Sequence, residues 1–223
     1  QIVARIGSVR RMLDSYSSRI AEVEELSNDR YSTPIRPNNQ NLGVTARRLS
    51  EIFPKVPYYI AGTEEIGEMW VEPIVTDSGQ LQFSFNFIDP DAQYDVVRDS
   101  IAFASQDIAA IATALTRIDE MTTIAQENGV RRNFARRVIC LPEGLCDQRV
   151  EGTSSSEVIF QIYEDGSTAA RIQRNRGAFS SGYNMSVESS LLLAAYLDYM
   201  HDVGMRDFIS GSMTDDDLNA LFD

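Results

Sequence analysis

The chain is poor in the residues that most often carry chemistry: its 223 residues include one histidine, one tryptophan and two cysteines. A lone His201 cannot assemble a multi-histidine centre, and zinc wants more ligands at closer spacing than Cys140 and Cys146 offer. His201, late in its segment, reads as a favourable charge near a helix C-terminus. No Gly-x-Ser-x-Gly elbow is present, and Ser154, Ser155 and Ser156 have the composition of an exposed turn. Gly166, Gly177 and Gly182 are spaced as turn residues around strands, so no glycine-rich loop leads from a strand into a helix to cradle phosphate. Asp89, Asp91 and Asp95 imitate a calcium loop but lack its turn glycine and closing glutamate, and read as strand exit and helix cap. The expectation is a protein that is not an enzyme and holds neither cofactor nor metal.

Positive charge is also scarce. Twenty Lys and Arg stand against 33 Asp and Glu, a net charge of −13. Nucleic-acid binding is driven by basic side chains displacing counterions from phosphates, so no nucleic-acid partner is expected, nor an anionic membrane face. Long apolar runs are missing too. A membrane span needs about 20 consecutive apolar residues, whereas the richest stretch, Leu191 to Leu197, is far shorter and reads as a buried helix. The sequence opens on Gln1 rather than Met, so a removed leader or anchor is expected ahead of it.

What is abundant is periodic apolar spacing. Ile2, Ile6, Val9, Leu13, Tyr16, Ile20 and Val23 follow steps of four and three, and Val97, Ile101, Ala104, Ile108, Ile111, Leu115 and Ile118 repeat them. Such steps put every side chain on one helical stripe, the seam by which one helix lies along another. They predict helices over 2–26 and 93–127, the second about 50 Å long. A shorter helix is expected over 45–53, ended by Pro54.

Elsewhere the period is two. Leu81, Phe83, Phe85 and Phe87 alternate with Gln82, Ser84 and Asn86, a half-buried strand with an aromatic inner face. It joins the run 69–75 as a hairpin, and Pro73, which cannot donate a ladder bond, assigns that run to an edge or a bulge. A second β unit follows: Asn133 to Cys140, Val158 to Tyr163, and Thr168 to Arg174 after an Asp165-Gly166 turn. Ser186 then caps a helix expected to reach Asp202.

Pro142 and Gly144 favour a turn between Cys140 and Cys146 that predicts a local disulfide, and a structural disulfide implies an oxidising compartment. Two arginine clusters, Arg131, Arg132, Arg136 and Arg137, and Arg171, Arg174 and Arg176, are either polar strand faces or a socket for an acidic partner. At the end of the chain, Thr214 to Asp217 cap a short helix with Leu218, Leu221 and Phe222 on its apolar side.

The fold class expected is α+β, with two β-hairpin/helix units forming antiparallel sheet and two long heptad-patterned helices. The divisions are a coiled-coil-like helix (1–32), a linker with a short helix (33–57), an α+β domain (58–204) and a tail (205–223). The function expected is a protein-binding assembly or accessory subunit of an exported, cell-envelope or surface complex, with other protein subunits or its own copies as partners. Ile6, Leu13, Tyr16, Ile20, Leu218, Leu221 and Phe222 are the expected partner-binding residues. The alternative is an extracytoplasmic sensory or small-ligand domain, with the aromatic sheet around the ligand.

Overall fold

Alternation of period two governs far more of the chain than the helical stripes suggest. The computed structural model describes residues 55–60, 65–76, 78–91, 96–147, 152–177 and 179–212. Four strands, β1 (Val56–Tyr59), β2 (Ile66–Val75), β3 (Leu81–Ile88) and β4 (Val97–Ala104), precede the helix α1 (Ile108–Glu127). Four more, β5 (Phe134–Leu141), β6 (Ser154–Ile162), β7 (Thr168–Arg176) and β8 (Phe179–Met185), precede the helix α2 (Val187–Ser212). All eight join one sheet in the order β4-β3-β2-β1-β8-β7-β6-β5, every neighbouring pair antiparallel. Two meanders of four strands, each closed by a helix, thus lie side by side and meet at Tyr59 opposite Asn184.

This corrects the expected fold class. The architecture is a single eight-stranded antiparallel sheet with two described helices, not two hairpin units joined by two long heptad helices. The central stripe is divided: Val97, Ile101 and Ala104 lie on β4, a 3-10 turn covers Ser105–Asp107, and only then does α1 run for 20 residues. The physical reason is a competing period. Asp99, Ile101 and Phe103 face inward at every second position, pairing with Phe87, Phe85 and Phe83, and that aromatic match outweighs the helical reading of the same segment. The longer described helix is α2, of 26 residues, which continues past Asp202, so His201 sits in its body and not at its end. The N-terminal stripe and the 45–53 helix lie outside the described residues.

The expected hairpins are present. β2 and β3 pair from Met69↔Phe87 to Val75↔Leu81, and β6 and β7 from Ser154↔Arg176 to Ile162↔Thr168. Asp165 shapes the second turn: its carboxylate accepts from the Ser167 N–H at 2.8 Å, and Gly166 takes the left-handed backbone conformation, φ 84°. Pro73 sits in an interior strand, yet the β1–β2 ladder ends at Val56↔Met69, so no β1 residue pairs opposite the proline. β3 is buried on both faces, not half-buried as expected: outward Ser84 and Asn86 are buried, and Asn86 bonds Glu72 at 3.2 Å and Ser100 at 2.8 Å.

Register places Val56, Tyr58, Met69, Val71, Phe83, Phe85, Ile101 and Phe103 on one face with Val158, Phe160, Ile172 and Met185. All are buried, and both helices pack there. Ile108, Ile111, Leu115 and Ile118 of α1 are fully buried, each stabilising the fold by roughly 1.5–3 kcal/mol. The helices lie crosswise to the chain order. α1 ends the first unit but rests on β5, β6 and β7; α2 ends the second but rests on β1 and β2 as well as β7. The Tyr196 hydroxyl of α2 donates to the Val71 carbonyl at 3.1 Å, and the His201 ring sits 5.9 Å from Phe83. Ser186 caps α2 as expected, its hydroxyl accepting from the Ser189 N–H at 3.1 Å.

Candidate functional site

The second unit opens with a strand that, among the described residues, has a neighbour on one side only. β5 pairs with β6 alone, and an unpaired edge presents a row of backbone donors and acceptors. Residues 131–137 are exposed throughout, and Phe134 is 41 % accessible. Arg131, Arg132 and Arg136 form no ion pair among the described residues. Arg137 lies along the outer face of the sheet: its Nε donates to Glu157 at 2.6 Å and its Nη1 to Asp147 at 2.7 Å. These carboxylates hold its pKa above the ordinary value, Asp147 first and Glu157 second. Cys140, near the end of β5, is bonded to Cys146, with Cα atoms 6.0 Å apart. The expected disulfide is therefore present, and it fits an oxidising compartment.

Beside this edge, the outward face of β6 and β7 is polar. Glu157 is only 6 % exposed and its carboxylate is saturated. One oxygen accepts from Arg137; the other accepts from Gln173 at 2.9 Å and Asn175 at 3.0 Å. The Gln173 amide also donates to Asn175 Oδ1 at 2.9 Å, which fixes the orientation of both amides. Above them opens a hollow of about 150 Å³, bounded by Arg137, Cys146, Thr153, Ser155, Gly177, Phe179 and Ser180. Phe179, at the turn from β7 to β8, is 81 % exposed.

The second arginine cluster does not form a common surface. Register alternation sends Arg171 outward and Arg174 inward. Arg174 donates to Asp99 Oδ1 and to the Ser100 carbonyl on β4, while Ser181 and Tyr183 of β8 donate to Asp99 Oδ2 at 3.0 and 2.9 Å. Burial raises the Asp99 pKa, but the two hydroxyls, Arg174 and the Ser100 N–H outweigh it and hold the group below the usual carboxylate value. Tyr183 moves the other way, raised by burial and then by Asp99. Beneath this cluster the Phe87 and Tyr183 rings stack at 3.7 Å, with Tyr58 edge-on to both. Arg171 crosses Gly182 on the outer face; its Nε and both amide atoms of buried Asn184 have no hydrogen-bond partner among the described residues.

Of the residues expected to bind partners, Ile6, Leu13, Tyr16, Ile20, Leu218, Leu221 and Phe222 all lie outside the described residues. The Asp89 carboxylate accepts from the Asp91 N–H at 3.1 Å at the exit of β3, as expected, but the next described element is strand β4 and not the helix these residues were expected to cap. Among the described residues no group of His, Cys, Asp and Glu is placed to hold a metal, and no described helix is long and apolar enough to cross a membrane. The sequence reading missed Glu157, Gln173 and Asn175. Nothing local sets them apart, because Gln173 and Asn175 stand in the polar run 173–176 of β7, and their partnership with Glu157 spans 16 to 18 positions of chain. Comparison with family models, curated proteins and solved structures gave no match.

Proposed function

We infer that this protein is a non-enzymatic binding subunit of an extracytoplasmic assembly, periplasmic or at the cell surface, and that it engages its partner by adding an acidic, extended segment to β5. The observation that carries this reading is the β5 edge, which no described strand covers, exposed over 134–137 and flanked by three arginines with no ion-pair partner among the described residues in a chain of net charge −13. An edge strand gives affinity through main-chain hydrogen bonds and specificity through side chains on alternate positions. The arginines select negative charge and repel basic segments. The disulfide braces the far end of the same strand, so the edge is ordered before a partner arrives.

The test uses a synthetic peptide alternating Glu and Val, and its Lys-for-Glu counterpart, titrated into the whole protein while backbone amide resonances are followed. The Glu peptide should shift amides of 134–141. Arg132→Glu with Arg136→Glu should weaken it by roughly tenfold or more. Equal binding of the Lys peptide, or no response on β5, sinks the reading. Compartment is tested separately, by intact mass of the natively isolated protein after alkylation without reductant. Two modified thiols would remove the argument for export.

A further inference from the structure

We propose that the hollow beside the Cys140–Cys146 disulfide is a binding site for one neutral sugar ring. Size sets the upper limit. At about 150 Å³ it is half or less of the roughly 300 Å³ at which pockets for drug-sized ligands begin, so it admits a single ring and no more. Charge sets the class. Both oxygens of Glu157 are taken up, by Arg137 at 2.6 Å and by the Gln173 and Asn175 amides, and Arg137 is itself shared between Glu157 and Asp147, so neither charge of the floor is left over to select an ionic ligand.

The remaining polar groups fit hydroxyls. Gln173 commits both amide hydrogens, to Glu157 and to Asn175, so its carbonyl oxygen remains as an acceptor. Asn175 commits one amide hydrogen to Glu157 and keeps the other as a donor. The Ser155 and Ser180 hydroxyls line the same hollow and have no hydrogen-bond partner among the described residues. A mixed set of donors and acceptors a few ångströms apart suits a ligand whose own groups both donate and accept. Their positions are fixed in advance by the Glu157–Gln173–Asn175 lattice, which lowers the ordering cost of binding.

The lip supplies the other half of the chemistry. Phe179 borders the hollow with its ring 81 % exposed, and a large apolar ring in water is unfavourable until something covers it. A pyranose is amphipathic in the matching sense, with hydroxyls around its edge and C–H groups on its faces. The polar floor takes the edge and the phenyl ring takes a face.

The experiment is an amide-resonance titration of the whole, disulfide-bonded protein with glucose, galactose, mannose and N-acetylglucosamine, with glycerol and adenosine as controls. At least one sugar should saturate at millimolar concentration and move Ser155, Gln173, Asn175 and the turn at Phe179. Phe179→Ala, at a site too exposed to affect folding, should weaken that sugar by roughly tenfold, and Phe179→Trp should restore or tighten it. Silence with all four sugars overturns the proposal. So does a matching response to glycerol, which would mean indifference to the ring, or a response to adenosine alone, which would mean a nucleobase site. β5 peptide binding is read in a different experiment, so either conclusion can fail without the other.

Discussion

The Tyr183 hydroxyl donates to the Asp99 carboxylate at 2.9 Å across 84 positions of sequence. β4 and β8 are the last strands of their units and are separated in the sheet by β3, β2 and β1, so this bond forms only because the sheet curls over its own inner face. Asp99 is the pin of that curl, held by Ser181, Tyr183 and Arg174 together.

The pin should be acid-labile. Because the folded pKa of Asp99 lies below its ordinary value of 3.8, the ionised pair stabilises the fold above that pH. The contribution is lost as pH falls through the lower, folded value. Asp99→Ala should cost on the order of 3 kcal/mol at neutral pH, since Arg174 and Asp99 are only 14 % and 18 % exposed. It should also flatten stability below pH 4. Urea midpoints across the acid range measure both; a variant as acid-sensitive as the parent would assign that sensitivity elsewhere.

Among the described glycines, Gly67 is the one whose added side chain would collide with an aromatic ring. A Cβ there would lie 2.5 Å from Tyr58, which is buried and donates to the Ile88 carbonyl at 2.6 Å. Gly67→Ala should destabilise by about 1–3 kcal/mol, as overpacking does, and disturb the Tyr58–Tyr183 contact in near-ultraviolet circular dichroism. An unchanged melting temperature would show that Tyr58 moves freely.

Opening the Cys140–Cys146 loop, whose ends are six positions apart, should cost about 2 kcal/mol by loop-closure entropy. Hydrogen exchange in the paired Cys140→Ser, Cys146→Ser variant should accelerate on β5 more than on β2 or β3. Uniform acceleration would mean the disulfide supports the whole sheet and not its edge.

The two four-strand units should not fold apart. α1 covers β5, β6 and β7, and α2 covers β1 and β2, so a cut in the turn at Asn128-Gly129 leaves each half with the wrong helix. The halves 1–129 and 130–223 should each lack cooperative unfolding and regain it when mixed. A cooperative transition in either half alone would contradict the crossed arrangement.

Local chemistry made the hairpins, the Asp165-Gly166 turn, the Ser186 cap and the disulfide legible, because each is written within a few residues. β4 was misread because Val97, Ile101 and Ala104 satisfy a helical step while Ile101 and Phe103 satisfy a strand step, and only the facing Phe85 and Phe83 decide between them. β8 was missed because Ser180, Ser181 and Gly182 carry little strand propensity; the strand exists through its neighbours β7 and β1. The site divides similarly. The arginines of β5 stand together in sequence, whereas Glu157 meets Arg137 across 20 positions and a disulfide loop.

The crossed helices also impose a timetable. The Val71 carbonyl waits for Tyr196, 125 positions later, so the aromatic face of β1 to β4 stays bare until nearly all of the chain has been made. Contacts of such separation form slowly, and a polypeptide synthesised from its first residue holds an uncovered sheet for most of its synthesis. The chain therefore remains threadable until α2 is free to settle on β1 and β2.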